Sequence, residues 1–222
     1  MNEQNVSIGR TRQGVLESNK VLKNTYLLLS MTLLFSGLTA AVAMAFNVPP
    51  LGPLITLGGY FLLLFLTHKF ANSAAGLFFV FALTGFLGLT LGPILSMYLG
   101  LPNGDQLIMT ALGGTGVIFL GLSGYALTTR KDFSFLGGFI VAGVMVAFLA
   151  MIGLLFLQIP ALQLALSALF ILLSSALILY QTSQIIHGGE TNYILATVTL
   201  YVSIYNIFIS LLQILSAFSG DD

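Results

Sequence analysis

Along the chain, continuous apolar runs of about 20 residues alternate with short polar breaks. Such a run is the length an α-helix needs to cross the hydrocarbon core of a bilayer at about 1.5 Å per residue. Seven can be delimited, over residues 24–46, 51–67, 74–99, 106–128, 134–157, 160–184 and 193–218. The breaks are Asn47-Val48-Pro49-Pro50, His68-Lys69 to Ser73, Gly100 to Asp105, Arg130-Lys131-Asp132, Gln158-Ile159-Pro160 and His187-Gly188-Gly189-Glu190-Thr191-Asn192-Tyr193. Pro and Gly punctuate them, the one fixing φ and the other permitting positive φ. A membrane β-barrel would instead show segments of about ten residues of alternating polarity. The pattern predicts an all-α integral membrane protein. Its single seven-helix domain, residues 21–219, follows a polar tail, residues 1–20. That tail, "MNEQNVSIGRTRQGVLESNK", has few large apolar residues to offset its ordering entropy and is expected to be disordered.

Composition sharpens this. Only 6% of residues are charged, where a soluble domain carries roughly a quarter. The net charge of zero gives no footing for nucleic acid, and the absence of Cys excludes disulfides, thiol chemistry and thiolate metal sites. Two histidines and scattered loop acids do not make a metal-ligand set, and no cofactor is expected. Arg10, Arg12, Lys20 and Lys23 precede the first span, Lys69 follows the second, and Arg130 and Lys131 follow the fourth. With seven spans all seven basic residues share one side, which the positive-inside rule makes cytoplasmic. The N-terminus is then inside, and the C-terminus, with Asp221 and Asp222, outside. Ala41-Val42-Ala43 resembles a signal-peptide cleavage site, but the apolar stretch before it exceeds the usual 7–15 residues of such a signal.

In span seven, Thr199, Ser203, Asn206, Ser210 and Gln213 are spaced 4, 3, 4, 3 and form one polar stripe. Span six answers with Ser167, Ser174 and Gln181. Polar faces in a membrane turn toward other helices or a wet cavity. The two readings are interhelical hydrogen bonding and a hydrophilic path, and Asn206, mid-stripe, is expected to be buried. Gly88 and Gly92 form a GxxxG pair, and Gly143, Ala147, Ala150 and Gly153 a small face on span five, both suited to close helix packing. Gly92-Pro93 predicts a kink in span three.

Gly121-Leu122-Ser123-Gly124 matches the GxSG pattern of rhomboid intramembrane serine proteases. That chemistry needs a histidine within reach of the serine, and His68 and His187 both lie near loops, so no catalytic residue is assigned and the chain is read as a non-enzyme. Asp and Glu are absent from every span interior. This argues against ion-coupled transport, which usually rests on intramembrane acids, and leaves a passive leak open.

The segments "GFLGLTLGPILSMYL", "TTRKDFSFLGG" and "HGGETNYILATVTLYVSIYNIFISLL" resemble the Bax inhibitor-1 (TMBIM) family, specifically its bacterial YccA branch. The resemblance runs from about Lys20 onward. It implies seven helices with the last one central, wrapped by the other six, in a bacterial inner membrane. It also implies two candidate roles. One is a substrate and modulator of the membrane AAA protease FtsH, and the other a calcium-permeable leak with a pH-sensing aspartate pair between helices six and seven. At the positions of that pair this sequence has Gln181 and Ser203, which do not titrate in the physiological range, and a basic residue near the end of the family's second helix corresponds loosely to His68. The departure weakens the calcium role and favours the protease-modulator role. The loop His187 to Tyr193 reads as a turn in which Gly188-Gly189 ends helix six and Glu190 and Thr191 favour the positive end of helix seven. His187 and Glu190 are also candidates for a pH-sensitive or docking surface.

Overall fold

The computed structural model describes the backbone of residues 3–156 and 159–219, and side chains over 16–154 and 159–219. Among the described residues there are seven α-helices and no strand: α1 Glu3–Ala45, α2 Pro53–Phe70, α3 Ala74–Leu99, α4 Gly104–Thr129, α5 Leu136–Phe156, α6 Pro160–Ile186 and α7 Tyr193–Ser219. Each covers one predicted span and is apolar and long enough to cross a membrane. The α3 bounds are those predicted, while α2 and α6 continue a few residues further into the loops. The α1 backbone is helical from Glu3, through the segment for which composition predicts disorder. Gln158 of the break Gln158-Ile159-Pro160 and the C-terminal Asp221 and Asp222 fall outside the described residues.

Helix α7 is the most deeply buried of the seven, and α1, α2, α3, α4 and α6 all pack on it. Among the described residues helix α5 is the exception to a full wrap, for it packs on α6 alone. Its small face explains where it sits: Ala147 is buried, and a Cβ added at Gly143 would run into the Leu173 side chain of α6. Ile140 is buried as well, and the outward face of α5 is exposed Val, Phe, Met and Leu, at home in lipid.

The tightest packing joins α1 to α3. On α1, Thr32, Ser36, Ala40 and Ala43 are buried at helical spacing and present a nearly flat face. On α3, Gly85, Gly88 and Gly92 meet it. A Cβ on Gly88 would fall against the Thr39 hydroxyl and the Ser36 carbonyl, and one on Gly92 within 2.5 Å of the Ala43 Cβ. Without hydrophobic drive between helices in lipid, such backbone proximity supplies dispersion contacts that larger residues would prevent. Helix α3 is assigned without interruption through Pro93, which leaves the Leu89 carbonyl without its usual helical donor.

The loops α2–α3, α4–α5 and α6–α7 gather at one end with the residues preceding the first span. Asn192 bonds the backbone of Ala71, Ser183 that of Phe133, and one surface cavity is lined by both Glu17-Ser18 and Gly188. Lys20, Lys23, Lys69, Arg130 and Lys131 therefore all lie at this basic end.

Gly88→Ala is expected to destabilise the bundle by about 1–3 kcal/mol through overpacking. Gly113→Ala, on an exposed face of α4 with nothing within 4 Å, should be neutral or slightly stabilising because Ala is the better helix residue. Thermal unfolding midpoints of the two variants in one detergent check this.

Candidate functional site

The basic end is organised around the α6–α7 turn. Its helix-ending half is a Schellman motif: Gly188 adopts φ 76°, its N–H donates to the Ile185 carbonyl at 3.3 Å, and the Gly189 N–H to the Gln184 carbonyl at 2.8 Å. Its helix-starting half turns on Asn192. The Asn192 Oδ1 accepts from the backbone N–H of Ile194 at 2.9 Å and of Leu195 at 3.3 Å, capping α7. Its Nδ2 donates to the Ala71 carbonyl at 3.1 Å and to Asn72 Oδ1 at 2.8 Å, tying the α2–α3 turn to α7. Glu190 acts one step back, with Oε1 accepting the Asn192 N–H at 2.7 Å. The sequence reading gave the helix-seven start to Glu190 and Thr191 and passed over Asn192. The available signal was an Asn directly before an apolar run.

A second tie holds the α4–α5 loop. The buried Ser183 hydroxyl accepts the Phe133 N–H at 3.0 Å, and Gln184 Nε2 donates to Ser134 Oγ at 3.2 Å. Asp132 receives the Ser134 N–H at 2.8 Å and the Ser134 hydroxyl. These bonds, the side-chain one first, hold the exposed Asp132 carboxyl below the usual carboxylate range, with a smaller contribution from the charge of nearby His187. His187 is exposed at the end of α6, and its Nδ1–H reaches the Ser183 carbonyl at 2.9 Å. His68, exposed near the end of α2, bonds the Leu64 carbonyl in the same manner.

Inside the bundle, the hydroxyls of the helix-seven stripe largely turn back on their own helix. Thr199 donates to the Leu195 carbonyl at 3.1 Å and Ser203 to the Thr199 carbonyl at 2.8 Å. The cross-helix bond sits at the far end, where Ser167 of α6 donates to Gln213 Oε1 at 2.6 Å. Ser203 and Ser210 are buried, Asn206 and Thr199 half-buried, and Gln213 exposed. Gln181 and Ser203 are both buried on adjacent helices. Their described hydrogen bonding does not join them, because the Ser203 proton returns to α7 and the Gln181 amide nitrogen has no partner.

The shortest hydrogen bond between two buried side chains among the described residues lies on a different face of α7, at Tyr201. Its hydroxyl is 2.5 Å from Ser36 Oγ of α1 and 3.3 Å from the Thr84 carbonyl of α3. Tyrosine counts as apolar in a hydropathy pattern, which hides it from a search for polar stripes. The GxSG serine has a similar structural setting, since Ser123 is buried and accepts the Tyr26 hydroxyl of α1 at 2.8 Å. Among the described residues no group of three or more His, Asp or Glu is placed to hold a metal ion.

Residues 18–220 match the family model described as "Inhibitor of apoptosis-promoting Bax1". The chain belongs to the Bax inhibitor-1 family. A Pseudomonas aeruginosa relative of undescribed role is 57% identical over the full length of both chains. An Escherichia coli K12 relative, 55% identical over 97% of this chain and 98% of its own, is named "Modulator of FtsH protease YccA". Its counterpart in Escherichia coli O6:H1, with the same identity and coverage, is named "Inner membrane protein YccA". With seven spanning helices, this Bax inhibitor-1 member is a multi-pass inner-membrane protein.

Asn192→Ala is expected to cost about 0.5–2 kcal/mol as a lost helix cap. It should also raise amide exchange at both the start of α7 and the α2–α3 turn, because one side chain serves both; hydrogen exchange in detergent reads this directly. For Asp132 the sign is fixed by its lowered pKa: the loop contact is present above the ordinary value of 3.8 and lost as pH falls through the depressed value in the folded protein. Loop exchange should therefore rise only in that acid range, and Asp132→Ala should show it already at neutral pH.

Proposed function

We propose that this protein modulates the membrane AAA protease FtsH, acting as a substrate that is slow to extract. The observation that carries this is the E. coli relative named for that role, 55% identical over 97% of this chain. The physical reading supports it. The small-residue seam between α1 and α3 and the covered position of α7 make a bundle in which neither the first nor the last helix leaves without breaking many close contacts at once. A protease that grips one end is then occupied for long.

In this reading the basic end faces the cytoplasm, because Lys20, Lys23, Lys69, Arg130 and Lys131 all lie there. The N-terminal tail projects from that end and is the handle. Twenty residues reach at most about 70 Å when extended, ample to enter a ring-shaped ATPase. An isolated helix shorter than about 12–15 residues is marginal in water, so unwinding the first turns presents little obstacle. In this reading the protein is a modulator and not an enzyme, which is supported by the Ser123 hydroxyl being engaged by a phenol and by each histidine bonding a carbonyl one turn back in its own helix.

Two experiments test the proposal. Affinity purification in mild detergent at native expression should recover FtsH, and recovery of no membrane protease would count against it. Deleting residues 2–15 while keeping Lys20 and Lys23 should lengthen the protein's lifetime in cells severalfold with insertion unchanged. Equal FtsH-dependent decay of both forms would show that the tail is not the handle. Because Gln181 and Ser203 do not titrate, any calcium flux in vesicles should lack a steep carboxylate-type pH transition, and Gln181→Asp with Ser203→Asp should introduce one.

A further inference from the structure

In the half of the bundle remote from the basic loops, a cavity of about 500 Å³ lies between α1 and α4, backed by α3 and α7. Its α1 wall runs from Leu33 to Met44 and its α4 wall from Ile108 to Phe119. Eleven helical steps make each wall about 17 Å long, close to the roughly 15 Å of one hydrocarbon leaflet, half of a core about 30 Å thick. Both walls begin near mid-helix and end close to the remote termini of α1 and α4. Toward the basic end the gap is closed, since the Tyr26 hydroxyl of α1 bonds Ser123 of α4 at 2.8 Å and the Tyr26 and Phe119 rings lie 6.1 Å apart. Elsewhere the two helices stand apart: no Cα of one comes within 8 Å of a Cα of the other among the described residues. The cleft therefore opens sideways, toward lipid, over the length of a single leaflet.

The wall presents carbon. Leu91 and Leu95 of α3 and Phe208 of α7 form the back, and the hydroxyls among the lining residues already have protein partners. Ser36 and Tyr201 bond each other, Thr115 donates to the Ala111 carbonyl at 2.7 Å, and Tyr205 lies 3.4 Å from Thr90 Oγ1. An ion or polar solute would find little to replace its water. A hydrocarbon chain gains dispersion contacts along the whole apolar wall, and the bilayer supplies such chains at this depth over the length of one leaflet.

Gly37 of α1 and Gly116 of α4 both line the cleft, and a Cβ at either would meet nothing within 4 Å. Close helix packing accounts for Gly88 and Gly92 but not for these two. Glycine is a poor helix residue, and at these two places it keeps the cleft wide.

We propose that this cleft binds one acyl chain of a membrane phospholipid from the leaflet remote from the basic loops, as an integral part of the folded bundle. Native mass spectrometry of the full-length protein, purified from membranes in mild detergent, should show one phospholipid retained per chain. Gly37→Phe combined with Gly116→Phe should lower that occupancy at least tenfold, with the unfolding midpoint unchanged or raised. Gly113→Phe, equally free of neighbours but outside the cleft, should retain lipid as the parent does. Undiminished retention by the folded double variant, or no retention by the parent, overturns the proposal. A bound mass equal to a free fatty acid overturns the phospholipid assignment. Should the double variant not fold, the parent in vesicles containing a phosphatidylethanolamine with a diazirine on its acyl chain decides. Adducts on Leu91, Leu95 or Phe208 are expected, and adducts confined to the outward faces of α2 and α5 overturn it.

Discussion

A helix that carries serines, threonines, two amides and two central tyrosines across a bilayer persists only if other helices cover it. That requirement on α7 organises the rest. Lipid offers no hydrogen bonds, so each polar atom of α7 has to find protein. Thr197, Thr199 and Ser203 use the nearest solution, the carbonyl one turn back on the same helix. Tyr201 is too long for this and reaches across to Ser36 and Thr84. Its phenol can do so only because α1 and α3 lie close together beside it, which in turn requires Gly85, Gly88 and Gly92 where they face α1.

The same logic separates what was legible in the sequence from what was not. The seven spans were legible because each is a long apolar run, and lipid selects for length and apolarity with little reference to partners. The Gly88-Gly92 seam and the left-handed Gly188 were legible for a related reason, since glycine at those spacings has few other uses. The seven-residue spacing of Ser167, Ser174 and Gln181 on α6 was partly legible, for Ser167 meets Gln213 and Ser174 is buried. The centre of the polar network was not. A periodic stripe of serines and threonines draws the eye, yet most of them are satisfied locally, and the cross-helix bond of consequence belongs to a residue that hydropathy scales treat as half apolar. The cleft between α1 and α4 was also out of reach, because it depends on two helices failing to touch, and no residue pattern on either one records that.

The Bax inhibitor-1 resemblance added what periodicity could not, namely the central place of the last helix. It also carried one simplification. A full wrap by six helices overstates the arrangement, since α5 reaches α7 only through α6. An all-apolar helix has no polar atom requiring cover and is stable with most of its surface in lipid.

The placement of α1 beside α3 also sets how the molecule bears load. A force drawn along the axis of α1 from its N-terminal end does not peel its contacts apart one after another. It slides one helix along the other, and the small-residue seam resists as a lap joint does, with every overlapping turn loaded together. A pull at the opposite end of the chain would act first on α7, which is enclosed by five neighbours. From either terminus, therefore, the first helix to be moved is one held along its length, and the loosely held α2 and α5 lie in the interior of the chain, where neither terminal pull reaches them first.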